Sequence, residues 1–204
     1  MMIFKGLLKL WYLCIICIAV LGCHIYHSKA NNFFNREGFK DVRSIAVLPF
    51  HNITENENAG VIVTNMIMAE LVKSGRFRVI KYGDVRNFFM QRRMISVPTI
   101  DLETLRVLRQ EFKVEVVILG TILRYESSYE TGYGNKSKKE NTPLLYVSCT
   151  ILDTRSGRIL GKNEFMEKGA ARGYLLTNKR RQDPFALTQK LAKKLIATLN
   201  IDGV

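Results

Sequence analysis

The order of strand and helix signals predicts a single α/β domain in which a mixed β-sheet is flanked by helices. Three observations carry this. Runs rich in branched side chains alternate with stretches of helical period, two late strands read as a hairpin, and no Pro/Gly/Ser-rich linker or internal repeat divides the chain. The expected order is β-α-β-α-α-β-β-β-α, with a signal segment over 1–22, a tether over 23–41 and the folded domain over 42–201.

Residues 43–50 (RSIAVLPF) open the domain as a strand stopped by Pro49, and the near-continuous apolar run suits a strand covered on both faces. Over 58–74, Ala59, Ile62, Val63, Met66, Ile67 and Leu71 fall on one helical stripe, and Gly75 stands where a left-handed terminator belongs. Phe77, Val79 and Ile80 make a short strand. Asp84 is the expected cap of a second helix carrying Val85, Phe88 and Phe89 inward, and Pro98 limits its extent. Asp101 caps a third, with Leu102, Leu105, Leu108 and Phe112 at helical intervals. The strand 114–125 (VEVVILGTILRY) follows, and Gly120 within it marks a bulge or a close backbone contact.

The segment 126–142 (ESSYETGYGNKSKKENT) is polar. Strands 144–153 and 158–166 then form the hairpin around Asp153-Thr154-Arg155-Ser156-Gly157, with Leu145, Val147, Cys149 and Ile151 on one face and Tyr146, Ser148 and Thr150 on the other. Asp183-Pro184 signals the start of the last helix, whose seam is Leu187, Leu191, Leu195 and Leu199 with Ala192 and Ile196. Lysines 190, 193 and 194 fall on its wetter side.

The first residues concern location. Lys5 and Lys9 precede the apolar run 10–21 (LWYLCIICIAVL), which is short for a permanent span and ends at Val20-Leu21-Gly22-Cys23. That tetrad resembles the bacterial lipoprotein signal, in which the cysteine thiol is diacylated and the chain is cut before it. Two or three acyl chains, at roughly 0.8 kcal/mol per buried CH₂, would hold the protein to a bilayer almost permanently. A general secretion signal or an uncleaved anchor is the alternative. Residues 24–40 (HIYHSKANNFFNREGFK) lack a sustained period and read as a tether, with Phe33 and Phe34 able to pack on the domain. His24 after the cysteine lacks the aspartate associated with inner-membrane retention, which favours the periplasmic face of the outer membrane.

Composition narrows the function. The net charge of +13 falls to +11 without Lys5 and Lys9, a balance that suits an anionic membrane, an acidic partner or nucleic acid. An exported location argues against nucleic acid. Cys14 and Cys17 leave with the signal and Cys23 is the lipid site, so Cys149 remains as a single core thiol without a disulfide partner. The three histidines, His24, His27 and His51, have no carboxylate or cysteine cluster, and no metal or other cofactor is expected. Gly132 and Gly134 precede no helix that could hold a phosphate, no serine sits in a nucleophile elbow, and Asp153 reads as a turn residue. The chain is therefore expected not to be an enzyme.

Basic side chains gather late. Lys168, Arg172, Lys179, Arg180, Arg181, Lys190, Lys193 and Lys194 face one acid, Asp183, over 168–194. The candidate contact surface is Tyr129, Tyr133, Lys136, Lys138 and Lys139 together with Arg172, Lys179, Arg180 and Arg181. It fits an acidic protein, anionic lipid or a cell-wall or surface polymer; a solvated basic face is the plain alternative.

Four segments, in order, carry a family resemblance. Ile45-Ala46-Val47-Leu48-Pro49-Phe50-His51-Asn52-Ile53-Thr54 resembles the opening of lipoproteins related to the curli-secretion protein CsgG, a group that includes activators of penicillin-binding proteins. Gly75-Arg76-Phe77-Arg78-Val79-Ile80 is similar to its second-strand segment. Val117-Ile118-Leu119-Gly120-Thr121-Ile122 with Tyr125-Glu126-Ser127 is similar to its third, and Leu152-Asp153-Thr154-Arg155-Ser156-Gly157-Arg158-Ile159 to its hairpin turn. The resemblance implies a domain like the amino-terminal domain of TolB, or an anticodon-binding fold, held at the outer membrane through acylated Cys23. It implies a non-catalytic scaffold or accessory subunit whose partner is an envelope protein complex or a peptidoglycan synthase, with a homo-oligomer as a further expectation. A curli-type secretion channel is the alternative, but 126–142 and 167–182 are charged and short for paired membrane strands of about 9–11 residues each.

Overall fold

The computed structural model describes residues 32–94, 99–126, 143–169 and 184–199. They form a seven-stranded mixed sheet with helices on both faces. In chain order the elements are β1 (Phe33–Phe34), α1 (Arg36–Phe39), β2 (Ser44–Val47), β3 (His51–Asn52), α2 (Ala59–Ser74), β4 (Arg78–Val79), α3 (Tyr82–Gln91), α4 (Leu102–Phe112), β5 (Val116–Glu126), β6 (Leu144–Asp153), β7 (Ile159–Lys168) and α5 (Pro184–Leu199). The strand order is β1-β7-β6-β5-β2-β4, and β3 also pairs β5. β4, β2 and β3 join β5 through parallel pairing, whereas β5, β6, β7 and β1 run antiparallel.

Every element of the expected order is present, with three short additions: β1, α1 and β3. The expected strand 43–50 is shortened to β2, which pairs Val116–Ile118, and pairing resumes beyond it, after Pro49, where β3 meets Thr121–Ile122. In the gap, the Phe50 N–H donates to Thr64 Oγ1 on α2 at 3.1 Å. Gly120 lies opposite: a Cβ there would stand 2.3 Å from Phe50 Cε1 and 2.4 Å from the Ser148 carbonyl oxygen. Gly120 is thus the site of close approach, and the register shift of β5 falls between Ile122 and Arg124 instead.

Local chemistry sets the helix ends. Gly75 closes α2 at φ 65°, and Asp101 Oδ1 accepts the Thr104 N–H at 2.8 Å to cap α4. α3 begins earlier than expected. Its cap residue is Lys81, and Asp84 sits in the first turn, where its charge complements the positive helix end. In the hairpin turn Asp153 Oδ1 accepts the N–H groups of Arg155 and Ser156, each at 2.7 Å. Gly157 supplies the left-handed residue at φ 69°. Buried Thr154 donates to the carbonyls of Val114 and Glu115, tying the turn to the start of β5.

The two faces are covered unequally. Under α2 and α5, one core joins Ile45, Val47, Ile118, Ile122 and the β6 row Leu145, Val147, Cys149 and Ile151 to the helix seams, including all six expected residues of α5. Under α3 and α4, a second core joins Ala46, Leu48, Val117, Leu119 and Leu152 to Val85, Phe88, Phe89, Leu105 and Leu108. That cover stops at Leu152. Beyond it, Tyr146, Ser148 and Thr150 are half-buried and Lys162 and Met166 exposed.

The folded part also starts earlier than residue 42. β1 pairs β7 with Phe33 opposite Lys162 and Phe34 opposite Gly161. Phe39 is fully buried, and its ring bridges those of Phe34 at 5.3 Å and Phe77 at 5.7 Å. The second half of the expected tether is therefore sheet edge and core, because three aromatic rings bury one another there.

Candidate partner-binding end of the sheet

Both basic segments named from the sequence leave the fold at the same end of the sheet. The first departs from Glu126 at the end of β5 and returns at Pro143 before β6. The second departs from Gly169 after β7 and returns at Pro184, the first residue of α5. β6 and β7 are paired to their ends, with Leu144 opposite Lys168. One step further, the Gly169 N–H donates to the Pro143 carbonyl at 2.8 Å. A Cβ on Gly169 would lie 2.9 Å from the Pro143 ring, so the close contact needs glycine. The roots of the two segments are one hydrogen-bonded unit.

Tyr129, Tyr133, Lys136, Lys138, Lys139, Arg172, Lys179, Arg180 and Arg181 lie outside the described residues, as do Cys23 and Asp183. The platform beneath them is described. Tyr125 packs against the core under α2 and α5. Arg124 and Glu126, both well exposed, form a 3.7 Å ion pair that contributes little in water. Phe185 on the first turn of α5 is 56% exposed.

Glu167 is the feature that the sequence reading missed. Its side chain is 4% exposed, beneath α5, where Lys190 reaches it at 2.8 Å and Lys194 also forms an ion pair. Burial pushes its carboxyl up, but hydrogen bonds from Lys190 and Lys194 outweigh that and hold it below the ordinary carboxylate range. Two of the lysines assigned to the basic stretch are thus engaged by an acid one residue before it. The available signal was the i, i+4 spacing of Lys190 and Lys194 on a helix whose seam faces the sheet. Asn163, two alternations back along the same face of β7, is also buried, and its Nδ2 has no hydrogen-bond partner among the described residues.

Other basic residues satisfy carbonyl and hydroxyl oxygens at the opposite end. Arg76 donates to the Leu199 carbonyl, Arg78 to those of Phe112 and Lys113, and Arg109 to Thr154 Oγ1. There Glu115 Oε2 accepts the N–H groups of Arg43 at 2.7 Å and Ser44 at 2.9 Å. Burial raises its carboxyl, but those bonds outweigh it, so the net direction is down. Among the described residues no group of three or more His, Cys, Asp or Glu could hold a metal ion, and no helix is long and apolar enough to cross a membrane.

The family model described as "Curli production assembly/transport component CsgG" matches residues 32–171. The chain belongs to the CsgG family. That match begins where the described fold begins and spans β1 to β7. As a CsgG-family member the chain is a non-catalytic protein.

The chain is also similar to solved structures, and the first of them shares its fold. The PelC dodecamer from Paraburkholderia phytofirmans is 16% identical, with a TM-score of 0.53 over 79% of this chain and 90% of that one. Lipoprotein GNA1162 from Neisseria meningitidis is 17% identical, with a TM-score of 0.47 over 79% of this chain and 99% of the other. The LpoB C-terminal domain from Escherichia coli is 11% identical, with a TM-score of 0.41 over 66% and 95%. No curated protein sequence matches the chain.

Proposed function

We propose that this CsgG-family protein is a non-catalytic accessory subunit of an envelope assembly, held at the periplasmic face of the outer membrane by lipid on Cys23. Family membership supports the general role. The observation that supports the specific reading is the joined root at Gly169 and Pro143, where the described end of one basic, tyrosine-bearing segment meets the described start of the other at one end of the sheet. A single acidic partner can then meet Tyr129, Tyr133, Lys136, Lys138 and Lys139 together with Arg172, Lys179, Arg180 and Arg181. A secretion or surface-structure complex and a peptidoglycan synthase are the partner classes of this reading, on a domain architecture of the TolB amino-terminal type. The PelC relative is a dodecamer, and self-association is part of the proposal.

Photo-crosslinkers at Tyr133 and at Arg180 in intact cells test it. Both positions should capture the same envelope component, and capture should fall with added salt as exposed charges are screened. Disjoint capture sets, or capture unchanged after reversing Lys136, Lys138 and Lys139, would remove the shared surface. Conductance from the purified protein in liposomes would replace this reading with a channel.

A further inference from the structure

The end of the sheet away from Gly169 and Pro143 is strongly positive. There the starts of β2, β4 and β5 lie level with the end of β6: Ser44 is beside Arg78, Ile45 beside Val116, and Val116 beside Asp153. Arg43, Lys73, Arg76, Arg78, Arg109 and Lys113 gather on it, and Arg155 and Arg158 join them from the hairpin turn. Against these eight cations stand Glu115 and Asp153, whose carboxylates are already occupied by the backbone N–H groups of Arg43, Ser44, Arg155 and Ser156. Counting all of α4 and its cap adds Arg106, Asp101, Glu103 and Glu111, which leaves nine cations against five acids among the described residues. α1 alongside is neutral, with Arg36 and Lys40 offset by Glu37 and Asp41. Asp202, outside the described residues, does not reverse that excess.

Six of the eight are arginines, and three of these are held in place. Arg76 lies over the Phe77 ring at 5.1 Å and donates to the Leu199 carbonyl. Arg78 Nη2 donates to the Phe112 and Lys113 carbonyls at 3.0 and 2.6 Å, and Arg109 to Thr154 Oγ1. Cations at helix carboxyl ends account for Arg76 and Arg78. They do not account for Arg43, Lys73, Arg155 and Arg158, whose side chains have no partner among the described residues. The same end exposes two aliphatic side chains, Val72 beside Lys73 at 62% and Ile159 beside Arg158 at 51%.

We infer that this end docks an acidic polypeptide segment, its carboxylates on the arginines and its apolar side chains on Val72 and Ile159. The planar guanidinium fork matches a carboxylate with two parallel hydrogen bonds. Arginine with exposed apolar groups, few acids and few lysines is the composition of a protein interface rather than of a merely solvated face. Guanidinium groups fixed before a partner arrives lose less freedom on binding. A second copy of this chain meeting the surface through the same end would oppose like charges. The inference needs neither lipid on Cys23 nor the basic segments at the other end of the sheet.

The test places a photo-crosslinker at Val72 or at Ser156 in the full chain and offers a biotin-labelled peptide of glutamate and leucine. A peptide of about twelve residues spans roughly 40 Å when extended. Both positions should capture it, less so as salt is raised. Lys73→Glu with Arg155→Glu should cut capture roughly tenfold at an unchanged thermal midpoint. Should that pair disturb folding, Lys73→Gln with Arg155→Gln should still cut capture about threefold. No capture, or capture indifferent to both pairs, would overturn the inference. So would equal capture of a peptide with glycine in place of each leucine, which needs charge alone. Phosphatidylglycerol vesicles that displace the peptide better than its own unlabelled form would assign the end to lipid instead. Reversing Lys136, Lys138 and Lys139 should leave capture from 72 and 156 unchanged; its loss would put the peptide at the other end and sink the inference. Failed crosslinks from Tyr133 and Arg180 beside intact capture here remove the proposed function alone, and the reverse outcome removes this inference alone.

Discussion

Gly120 holds the point where β5 meets the Phe50 ring and the backbone of β6. Its hydrogen stands where any Cβ would meet the Phe50 ring and the Ser148 carbonyl oxygen, and the carbonyl cannot turn away without breaking the β5–β6 ladder. Gly120→Ala should cost about 3 kcal/mol, read as a lower urea midpoint, since overpacking a filled core forces backbone shifts. A midpoint within error of the parent would mean that Phe50 does not occupy that place. Glu167 makes a different kind of prediction. Its folded carboxyl titrates below its ordinary value of 4.5, so its contribution is complete above that value and is lost as pH falls through the lower, folded one. Glu167→Gln should destabilise by about 1–2 kcal/mol at neutral pH and flatten the loss of stability on acidification below 4.5. Parallel acid limbs for the two proteins would show that the lysines do not hold that carboxylate.

Elements divide into those written locally and those written by distant partners. α2, α4 and α5 were legible because apolar spacing and their end residues agree: Gly75 turns left-handed, and Asp101 caps. The β6–β7 hairpin was legible because Asp153 and Gly157 specify a turn. β1, β3 and α1 were not, since strands of two residues have no period and exist through pairing across the fold, as Phe33 does with Lys162. The same reason hid the joined roots of the two basic segments. The polarity of the segments is visible in the chain, but the contact of Gly169 with Pro143 follows from the register of β6 on β7. Removing residues before Asn32 should leave the thermal midpoint unchanged. Removing those before Val42 deletes β1 and the fully buried Phe39, and Phe39→Ala alone should cost about 3–5 kcal/mol. Equal midpoints for the two truncated chains would return α1 to the tether.

Across the whole molecule, the proposed anchor and the described fold are separable claims. Cys23→Ser should leave the folded domain's midpoint unchanged and move the protein from the membrane fraction to the soluble one, with the acyl mass gone from its amino terminus. An unmodified thiol in the parent protein would end the lipoprotein reading while leaving the sheet as it is. Cys149 will not confuse that measurement, because complete burial pushes its thiol up to about 12 and away from reaction.

The hydrogen bond from Gly169 to Pro143 has a mechanical consequence. It extends the β6–β7 pairing by one step, so tension applied at Gly169 or at Pro143 is borne by the longest ladders in the sheet. Replacing Gly169 by a bulkier residue would drive a Cβ into the Pro143 ring and cut that rivet, a lesion that loosens the shared root while sparing the charges proposed to attract a partner.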